Sequence, residues 1–410
     1  MNNYIIKNIT QLVTCSGNKA KRGKEMSDLH VINNGMVVIT DGIISYVGEN
    51  SEEQAAQWLK DNKQYEIIDG TGKSVLPGFI DSHTHFIFGG YREEEFSWRM
   101  KGDSYMSIME RGGGIYSTVN ATHDASFEEM KESGRRRLDK MLAMGVTTVE
   151  GKSGYGLDKE TELKQLRVMK ELQKEHAVDI VTTYMGAHAV PKGYTEDEYI
   201  DFMLKEVMPI VKAEGLAECC DIFCEKGVFS TEASKRYLSA SKEMGFLLKM
   251  HADEIVNTKG SELAAEVNAV SADHLLQASE AGIKALANSN TVATLLPNTA
   301  FTLKEDFAKG REMIDAGCAV ALATDFNPGS SFTCSVPLTF ALACIYMKFS
   351  PEEAVTALTI NAAAALGKAD QIGSIDVGKK GDIIILEYPS YKFLPYHAGM
   401  NCVERTIKSK

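Results

Sequence analysis

Short runs of apolar, mostly β-branched residues mark both ends of the chain as β structure. Residues 36–40 and 43–47 flank Asp41-Gly42, a two-residue loop that suits a type I′ hairpin turn. Residues 383–386 form a similar run close to the C-terminus. We therefore expect the two ends of the chain to build one small β-sandwich domain together.

The middle of the chain alternates between helical and strand patterns. Ser126 and Glu129 make a capping box at the start of a helical segment that stops at Gly145, and a strand pattern follows at residues 146–150. Similar apolar runs recur along the middle, and the eight strand candidates lie at residues 75–80, 146–150, 179–183, 221–224, 246–250, 269–272, 292–296 and 318–322.

Repeated βα units with nearly continuous apolar strands predict a parallel sheet covered by helices, which is an α/β fold. Eight such units favour a (β/α)8 barrel of the TIM type over a doubly wound sheet. We expect the barrel to span residues 73–369, and residues 1–72 and 370–410 to form the β-sandwich domain.

Composition narrows the class of protein further. The chain has 410 residues, 44% of them hydrophobic and 24% charged, which excludes collagen-like, low-complexity and disordered chains. Its formal net charge of −12 argues against nucleic acid and anionic membranes as partners. No apolar run approaches the ~18 residues that cross a bilayer, and the polar N-terminus lacks a signal-peptide pattern. We therefore expect a cytoplasmic protein, in which an anionic substrate would need a cation placed inside the pocket.

The most informative motif is His83-Thr84-His85, at the end of the first strand candidate of the barrel. Two residues that are two apart in a strand point to the same side, so both imidazoles can reach one ion. Alone, this pair could equally be two hydrogen-bonded histidines at a strand end. His251 and Asp325, however, also follow strand candidates, at the end of a barrel where active sites are built.

Three neutral imidazoles and one carboxylate suit a single Zn²⁺ or Fe²⁺ ion with a bound water. We therefore predict His83, His85, His251 and Asp325 as metal ligands, and a hydroxide nucleophile produced near neutral pH. Because this set is complete without it, Lys226 is expected to face solvent and not to bridge two ions.

Two further side chains are candidate catalytic residues. Glu254 lies three residues beyond His251, where a carboxylate can carry a proton from the nucleophile to a leaving nitrogen. His274 could bond the hydroxide or polarise a substrate carbonyl. A solvated carboxylate and a structural histidine that bonds the backbone are the alternatives for these two residues.

The motif around His83 and His85, with the later histidine and aspartate, resembles the amidohydrolase superfamily. Longer strings in this sequence resemble the imidazolonepropionase family, whose enzymes act in histidine degradation, and the similarity covers essentially the whole chain. These strings lie at residues 88–93, 112–115, 152–157, 186–191, 251–254 and 323–330. One departure is His123, where the family pattern suggests arginine.

The resemblance implies hydrolysis of the cyclic amide of 4-imidazolone-5-propanoate to N-formimidoyl-L-glutamate, with one divalent metal per chain and a homodimer. It implies that Arg92 binds the propionate carboxylate of the substrate, because a guanidinium can hold a carboxylate with two hydrogen bonds. The other substrate-binding residues that it implies are Tyr155, His188, Glu254, Asn327, Gly329 and Ser330. The glycines at 112–114 are expected to form a flexible active-site loop, since no Gly-Lys-Ser/Thr follows them.

Two alternatives remain open at this point. A mononuclear aminohydrolase that deaminates a nucleobase-like ring would use the same metal ligands and Glu254, but its substrate has no carboxylate for Arg92. A catalytically silent scaffold on the same fold is the other alternative, and it would have no need to keep the ligands and Glu254 together.

Overall fold

The N-terminal part of the chain forms strands, as its apolar runs predict. In the computed structural model, which describes residues 3–60, 63–103, 107–108 and 111–409, these strands are β1 (Tyr4–Val13), β2 (Val31–Thr40), β3 (Ile43–Glu49), β4 (Glu66–Asp69) and β5 (Ser74–Pro77). Asp41 and Gly42 join β2 to β3 with φ angles of 52° and 80°. A type I′ turn requires positive φ at both of these positions, so the predicted hairpin is confirmed.

The middle of the chain folds into eight parallel strands. They are β6 (Phe79–Asp81), β7 (Val146–Lys152), β8 (Asp179–Ala187), β9 (Cys219–Cys224), β10 (Leu247–Ala252), β11 (Ser271–His274), β12 (Val292–Leu295) and β13 (Val320–Leu322), and each pairs with the next in chain order. Just beyond β6 and β13, a bridge between Thr84 and Phe326 joins the two ends of this sheet. The predicted (β/α)8 barrel is therefore confirmed.

Two C-terminal strands complete the other sheet. They are β14 (Ile383–Leu386) and β15 (Val403–Ile407), and the order across the sheet is β15-β14-β5-β1-β2-β3, with β4 also paired to β1. Ile6, Val37 and Ile383 belong to the apolar core that these terminal strands share. The predicted contribution of both chain ends to one β domain is confirmed.

The first strand candidate of the barrel, residues 75–80, is two strands in the structure. Its first half is β5, which pairs with β1 and β14, and its second half is β6, which pairs with β7. At Gly78, between them, a Cβ atom would overlap the Thr147 side chain, so the chain can cross between the sheets there only with glycine. The division of the chain into domains at residues 73 and 370 stays a prediction.

Helices cover the outside of the barrel and connect its strands. The α-helices whose bounds fall within the described residues are Glu52–Trp58, Glu93–Met100, Ile115–Asp124, Phe127–Ala143, Lys159–Glu175, Glu196–Phe202, Met208–Ala213, Thr231–Glu243, Gly260–Glu266, Glu280–Ala287, Pro297–Leu303, Gly310–Asp315, Val336–Ile345, Pro351–Ala357, Ile360–Ala365 and Phe393–Tyr396. A 3-10 helix lies at Gly23–Ser27, and a π-helical segment at Met203–Val207. The predicted capping box of Ser126 and Glu129 is present. Over the described residues, no helix is both long enough and apolar enough to pass through a membrane.

Candidate active site

The four predicted metal ligands meet at the C-terminal end of the barrel. Asp325 Oδ1 lies 3.4 Å from His83 Nε2 and 3.8 Å from His85 Nε2. His83, His85 and His251 each offer a ring nitrogen within 4.8 Å of the other two. A backbone hydrogen bond joins the segments that follow the first and eighth barrel strands. In it, the Asp325 N–H donates to the His83 carbonyl at 3.0 Å. These side chains therefore share one buried centre.

Several buried ring nitrogens of this cluster have no hydrogen-bond partner among the described residues, which leaves them available to bind a cation. Among the described residues, none provides a hydrogen-bond partner for His83 Nε2, for His85 Nδ1 or for either ring nitrogen of His251. Burial is the main cause that holds the pKa of all three imidazoles well below the usual value, so the rings are neutral. A buried polar atom without a partner costs about 1–3 kcal/mol, and a bound divalent ion would remove that cost. The residues present therefore fit a metal ion.

Two aspartates lie directly beneath these ligands, and sequence reasoning missed both. His83 Nδ1–H donates to Asp273 Oδ2 at 2.6 Å, which leaves Nε2 with its lone pair facing the cluster. Asp221 Oδ1 accepts from the His251 backbone N–H at 3.2 Å, and Asp221 Oδ2 lies 3.1 Å from His251 Nδ1 without hydrogen-bond geometry. The signal that could have found them is an acidic residue inside an apolar strand, since an isolated buried carboxylate is costly.

The two candidate catalytic residues face each other at the edge of the cluster. Glu254 Oε1 lies 3.5 Å from His274 Nδ1, and 18% of the Glu254 side chain is exposed. Burial, assisted by the charges of Asp325 and Glu225, raises the pKa of Glu254 to about 8. Burial lowers the pKa of His274 to about 4. The pair is therefore a carboxyl that holds a proton near neutral pH beside a neutral imidazole.

Glu225 fixes the loop that carries Glu254, and sequence reasoning missed it. Its carboxylate accepts hydrogen bonds from the backbone N–H groups of Ile255 at 2.9 Å and Val256 at 3.3 Å. Glu225 itself is almost fully buried at the end of β9. The neighbouring Lys226 is exposed, as predicted.

Arg92 is held in place by Glu95, another residue that sequence reasoning missed. Arg92 Nε and Nη2 both donate to Glu95 Oε2, at 3.0 and 2.8 Å. The Gly114 backbone N–H donates to the same oxygen at 3.0 Å, so Glu95 also ties down the end of the glycine loop. On the other side of Arg92, a Cβ atom at Gly329 would overlap Nη1. The guanidinium is therefore clamped between Glu95 and the backbone of Gly329.

Tyr155 and His188 line the space beside the ligand cluster. The His188 ring stacks on His85 with centroids 4.9 Å apart, and the Tyr155 ring lies 5.3 Å from His188. Burial is the main cause that raises the pKa of Tyr155; the charge of Asp325 adds to this shift and the charge of Arg92 opposes it. His188 Nδ1 forms a hydrogen bond with the Gly154 carbonyl at 3.1 Å. A carbonyl only accepts, so Nδ1 carries the proton and Nε2 is left as an acceptor.

The polar groups of Asn327, Gly329 and Ser330 bond mostly to each other. Asn327 Oδ1 accepts from the backbone N–H groups of Gly329 and Ser330, both at 2.8 Å. The Asn327 side chain also donates to the Asp325 carbonyl at 2.7 Å, and the Gly329 carbonyl accepts from Arg99 at 3.1 Å. This turn links the predicted ligand Asp325 to the backbone that packs against Arg92.

His123, where the family pattern suggests arginine, still makes a local polar contact. His123 Nε2 lies 2.9 Å from Asp158 Oδ2 and 2.5 Å from the Gly156 carbonyl. The histidine therefore pairs with an acidic side chain, and it is not among the side chains of the metal-ligand cluster.

Comparison with known proteins identifies relatives of the whole chain. The model of the amidohydrolase family matches residues 74–409. An imidazolonepropionase from Parabacteroides distasonis is 60% identical over 98% of this chain and 97% of its own length. One from Bacteroides thetaiotaomicron is 61% identical over 99% of this chain and 97% of its own length. Among solved structures, an adenosine deaminase from Xanthomonas campestris with bound zinc has a TM-score of 0.74 at 17% identity, and the match covers 100% of this chain and 92% of that one. At that identity it supports the fold alone.

Proposed function

The chain belongs to the imidazolonepropionase family of amidohydrolases, and we propose that it hydrolyses the cyclic amide of 4-imidazolone-5-propanoate to N-formimidoyl-L-glutamate in histidine degradation. The observation that carries this proposal is the identity of about 60% with imidazolonepropionases over nearly the whole chain. The convergence of the predicted ligands, Glu254 and Tyr155 around one buried centre supports it, because a silent scaffold would not need them together.

We propose that one divalent ion, Zn²⁺ or Fe²⁺, binds His83, His85, His251 and Asp325. When bound, such an ion acts as a Lewis acid and lowers the pKa of water, so that a nucleophile is available near neutral pH. The unpartnered imidazole nitrogens support this set, and the solvent-facing Lys226 supports a count of one. Elemental analysis of protein purified without chelators is expected to give about one ion per chain, and two tightly bound ions would contradict the count.

Arg92 binds the propionate carboxylate of the substrate in this proposal. Its Nε and Nη2 atoms already bond Glu95, so the remaining N–H groups of the guanidinium are the ones left for the substrate. In a chain of net charge −12, the substrate tail depends on a cation placed inside the pocket. The turn of Asn327, Gly329 and Ser330 supports the position of Arg92.

The substrate ring is placed by His188 and Tyr155. Since His188 Nε2 is an acceptor, it is suited to a ring N–H of the substrate, and the neutral Tyr155 hydroxyl can donate to a ring oxygen. In its ionised form, Glu254 takes a proton from the nucleophile and then delivers it to the ring nitrogen as the amide C–N bond breaks. His274, neutral and 3.5 Å away, is the nearest imidazole to that carboxyl.

The test of the function is incubation of the protein with enzymatically generated imidazolone propionate, followed by measurement of both formimidoylglutamate and ammonia. We expect formimidoylglutamate to form without ammonia. Ammonia without formimidoylglutamate would overturn the proposal in favour of a deaminase. Arg92→Ala is expected to lower kcat/KM by about 30-fold to 1000-fold, since a desolvated carboxylate without its partner costs roughly 2–4 kcal/mol. It should leave the metal content unchanged.

We further propose that the protein is a cytoplasmic homodimer. The family resemblance supports the dimer, and the sequence composition supports the location. Light scattering on the purified protein tests the dimer, and a measured mass equal to that of one chain would contradict it.

A further inference from the structure

A layer of five charged side chains fills the barrel directly beneath the proposed metal ligands. Glu150, Lys152, Asp221, Lys249 and Asp273 come from four barrel strands, and none of their side chains is exposed. Isolated charges are very costly in such a place, so each must be matched by its neighbours. The layer contains two ammonium groups and three carboxylates.

Lys152 is the member that touches all three carboxylates. Its Nζ lies 2.6 Å from Asp221 Oδ2, 2.9 Å from Glu150 Oε1 and 3.6 Å from Asp273 Oδ2. Lys249 is more peripheral, at 3.3 Å from Glu150 and 3.9 Å from Asp273, and its ammonium also donates to two backbone carbonyls. Lys152 is therefore the cation that joins Asp221 to Asp273.

These two carboxylates are the same ones that contact the proposed ligands from below. Asp273 accepts from His83 Nδ1, and Asp221 holds the His251 backbone and lies beside its Nδ1. A rotation of either carboxylate would change the direction in which the imidazole above it points. The orientation of both rings thus depends on what holds Asp221 and Asp273 in place.

The layer also contains a group of side chains that could be mistaken for a second metal site. His83, Glu150 and Asp273 lie close enough together to hold a metal by distance alone. Yet Lys152 Nζ and Lys249 Nζ already lie against Glu150 and Asp273 and supply the positive charge there. The ammonium groups serve as the fixed counter-charge of these carboxylates.

We propose that Lys152 is a positioning residue for the metal centre: its ammonium fixes Asp221 and Asp273, and these carboxylates hold His251 and His83 with their free nitrogens toward the ion. The inference rests on the proposed metal-dependent function. It assigns to Lys152 no contact with the ion or the substrate. Carboxylates that support metal-binding histidines typically change metal affinity by 10–100-fold when they are lost, and Lys152 acts on two of them.

The test is the Zn²⁺ dissociation constant of Lys152→Met, measured by competition with a chelator in the absence of substrate. We expect the constant to rise by about 10–100-fold relative to wild type. The visible spectrum of the Co²⁺-loaded variant should also change, because that spectrum reports the geometry of the ligands. A dissociation constant within twofold of wild type, with an unchanged Co²⁺ spectrum, would overturn the proposal.

Two matched variants separate positioning from general destabilisation. Lys379→Met removes another buried lysine, whose ammonium bonds the carbonyls of Gly17 and Ala369 outside the barrel strands, and should leave Zn²⁺ affinity unchanged. Lys249→Met removes the second ammonium of the layer and should weaken Zn²⁺ binding less than Lys152→Met does. Equal losses for Lys152→Met and Lys379→Met would mean that only overall stability is involved, and would overturn the proposal.

A charge-balanced variant covers the case in which Lys152→Met folds poorly. Lys152→Met combined with Glu150→Gln removes one charge of each sign and keeps Asp221 and Asp273. We expect it to fold and to show the same loss of Zn²⁺ affinity, and wild-type affinity would overturn the proposal. These measurements need no substrate, so the failure of the wild-type protein to form formimidoylglutamate would refute the proposed function separately.

Discussion

Gly329→Ala tests the role of Arg92 without removing the charge of its guanidinium. In the structure, a Cβ atom at Gly329 would overlap Arg92 Nη1 and lie 3.0 Å from Cζ, whereas ordinary contacts begin near 3.4 Å. The guanidinium must therefore retreat by at least about 0.4 Å at Cζ, and further at Nη1. Retreat strains the two hydrogen bonds to Glu95, which are 2.8 and 3.0 Å long and have little slack.

The expected cost follows from what the retreat removes. One hydrogen bond to a charged group contributes about 1.5–3 kcal/mol. Since 1.4 kcal/mol corresponds to a factor of ten, kcat/KM for imidazolone propionate should fall by roughly 10–100-fold. Most of the change should be in KM, because the proposed role of Arg92 is to bind the tail of the substrate and not the reacting amide. Metal content should remain at the wild-type value, since the ligands lie on other residues.

A double-mutant cycle shows whether the effect passes through Arg92. If it does, Arg92→Ala with Gly329→Ala should be no worse than Arg92→Ala alone, because the added methyl group then has no guanidinium to displace. Steady-state kinetics on the four proteins measure this coupling. If Gly329→Ala lowers kcat/KM by the same factor in both backgrounds, the methyl group acts on something else, and the clamp between Glu95 and Gly329 does not matter for binding.

Three further outcomes follow from the site. Glu254→Gln should lower kcat by on the order of a hundredfold or more while metal content stays the same, and loss of the metal would instead make Glu254 a ligand. Burial raises the pKa of Asp325 to about 7 in the metal-free protein, so its carboxyl must lose a proton before the ion binds. The Zn²⁺ affinity should therefore be constant above pH 7 and weaken by up to about tenfold for each pH unit below it. An affinity that does not change between pH 5.5 and 8 would contradict that ligand. Thr324→Val removes the hydroxyl that donates to the buried Asp81 carboxyl at 2.6 Å, and should lower the free energy of unfolding by about 1–3 kcal/mol in chemical denaturation, whereas a change below 0.5 kcal/mol would contradict it.

The cluster of candidate metal ligands could be predicted from the sequence because the positions of its members follow from local rules. His83 and His85 share one side of the chain, and His251 and Asp325 come at strand ends that a barrel brings together. Glu95 could also have been predicted from local spacing. It lies three residues after Arg92, at the start of a helix, where its side chain can pair with the guanidinium. A charged residue three positions from a proposed substrate cation is a local signal that could have been used.

The pairing within the buried ion layer had no comparable signal, because an acidic residue inside an apolar strand does not show which residue is its partner. Lys152 and Asp221 are 69 residues apart, and only the pairing of β7, β8 and β9 brings them to the same height in the barrel. The split of residues 75–80 into β5 and β6 was hidden for a similar reason. An apolar run shows that residues are buried, but which of two sheets buries them depends on long-range pairing.

If Arg92 binds the substrate as proposed, the charges around the pocket predict that it orients the substrate more than it attracts it. Arg92 and Glu95 form an ion pair, so together they are neutral before the substrate arrives. The proposed ligand set contains three neutral imidazoles and one carboxylate, so a divalent ion bound there with a neutral water would keep a net charge of about +1. An anionic substrate is then attracted mainly toward the ion, and Arg92 determines which end of the substrate lies away from it. For that task the planar, two-pronged shape of the guanidinium matters as much as its charge. Arg92→Lys should therefore restore only part of the kcat/KM that Arg92→Ala loses, and full restoration would show that charge alone is enough.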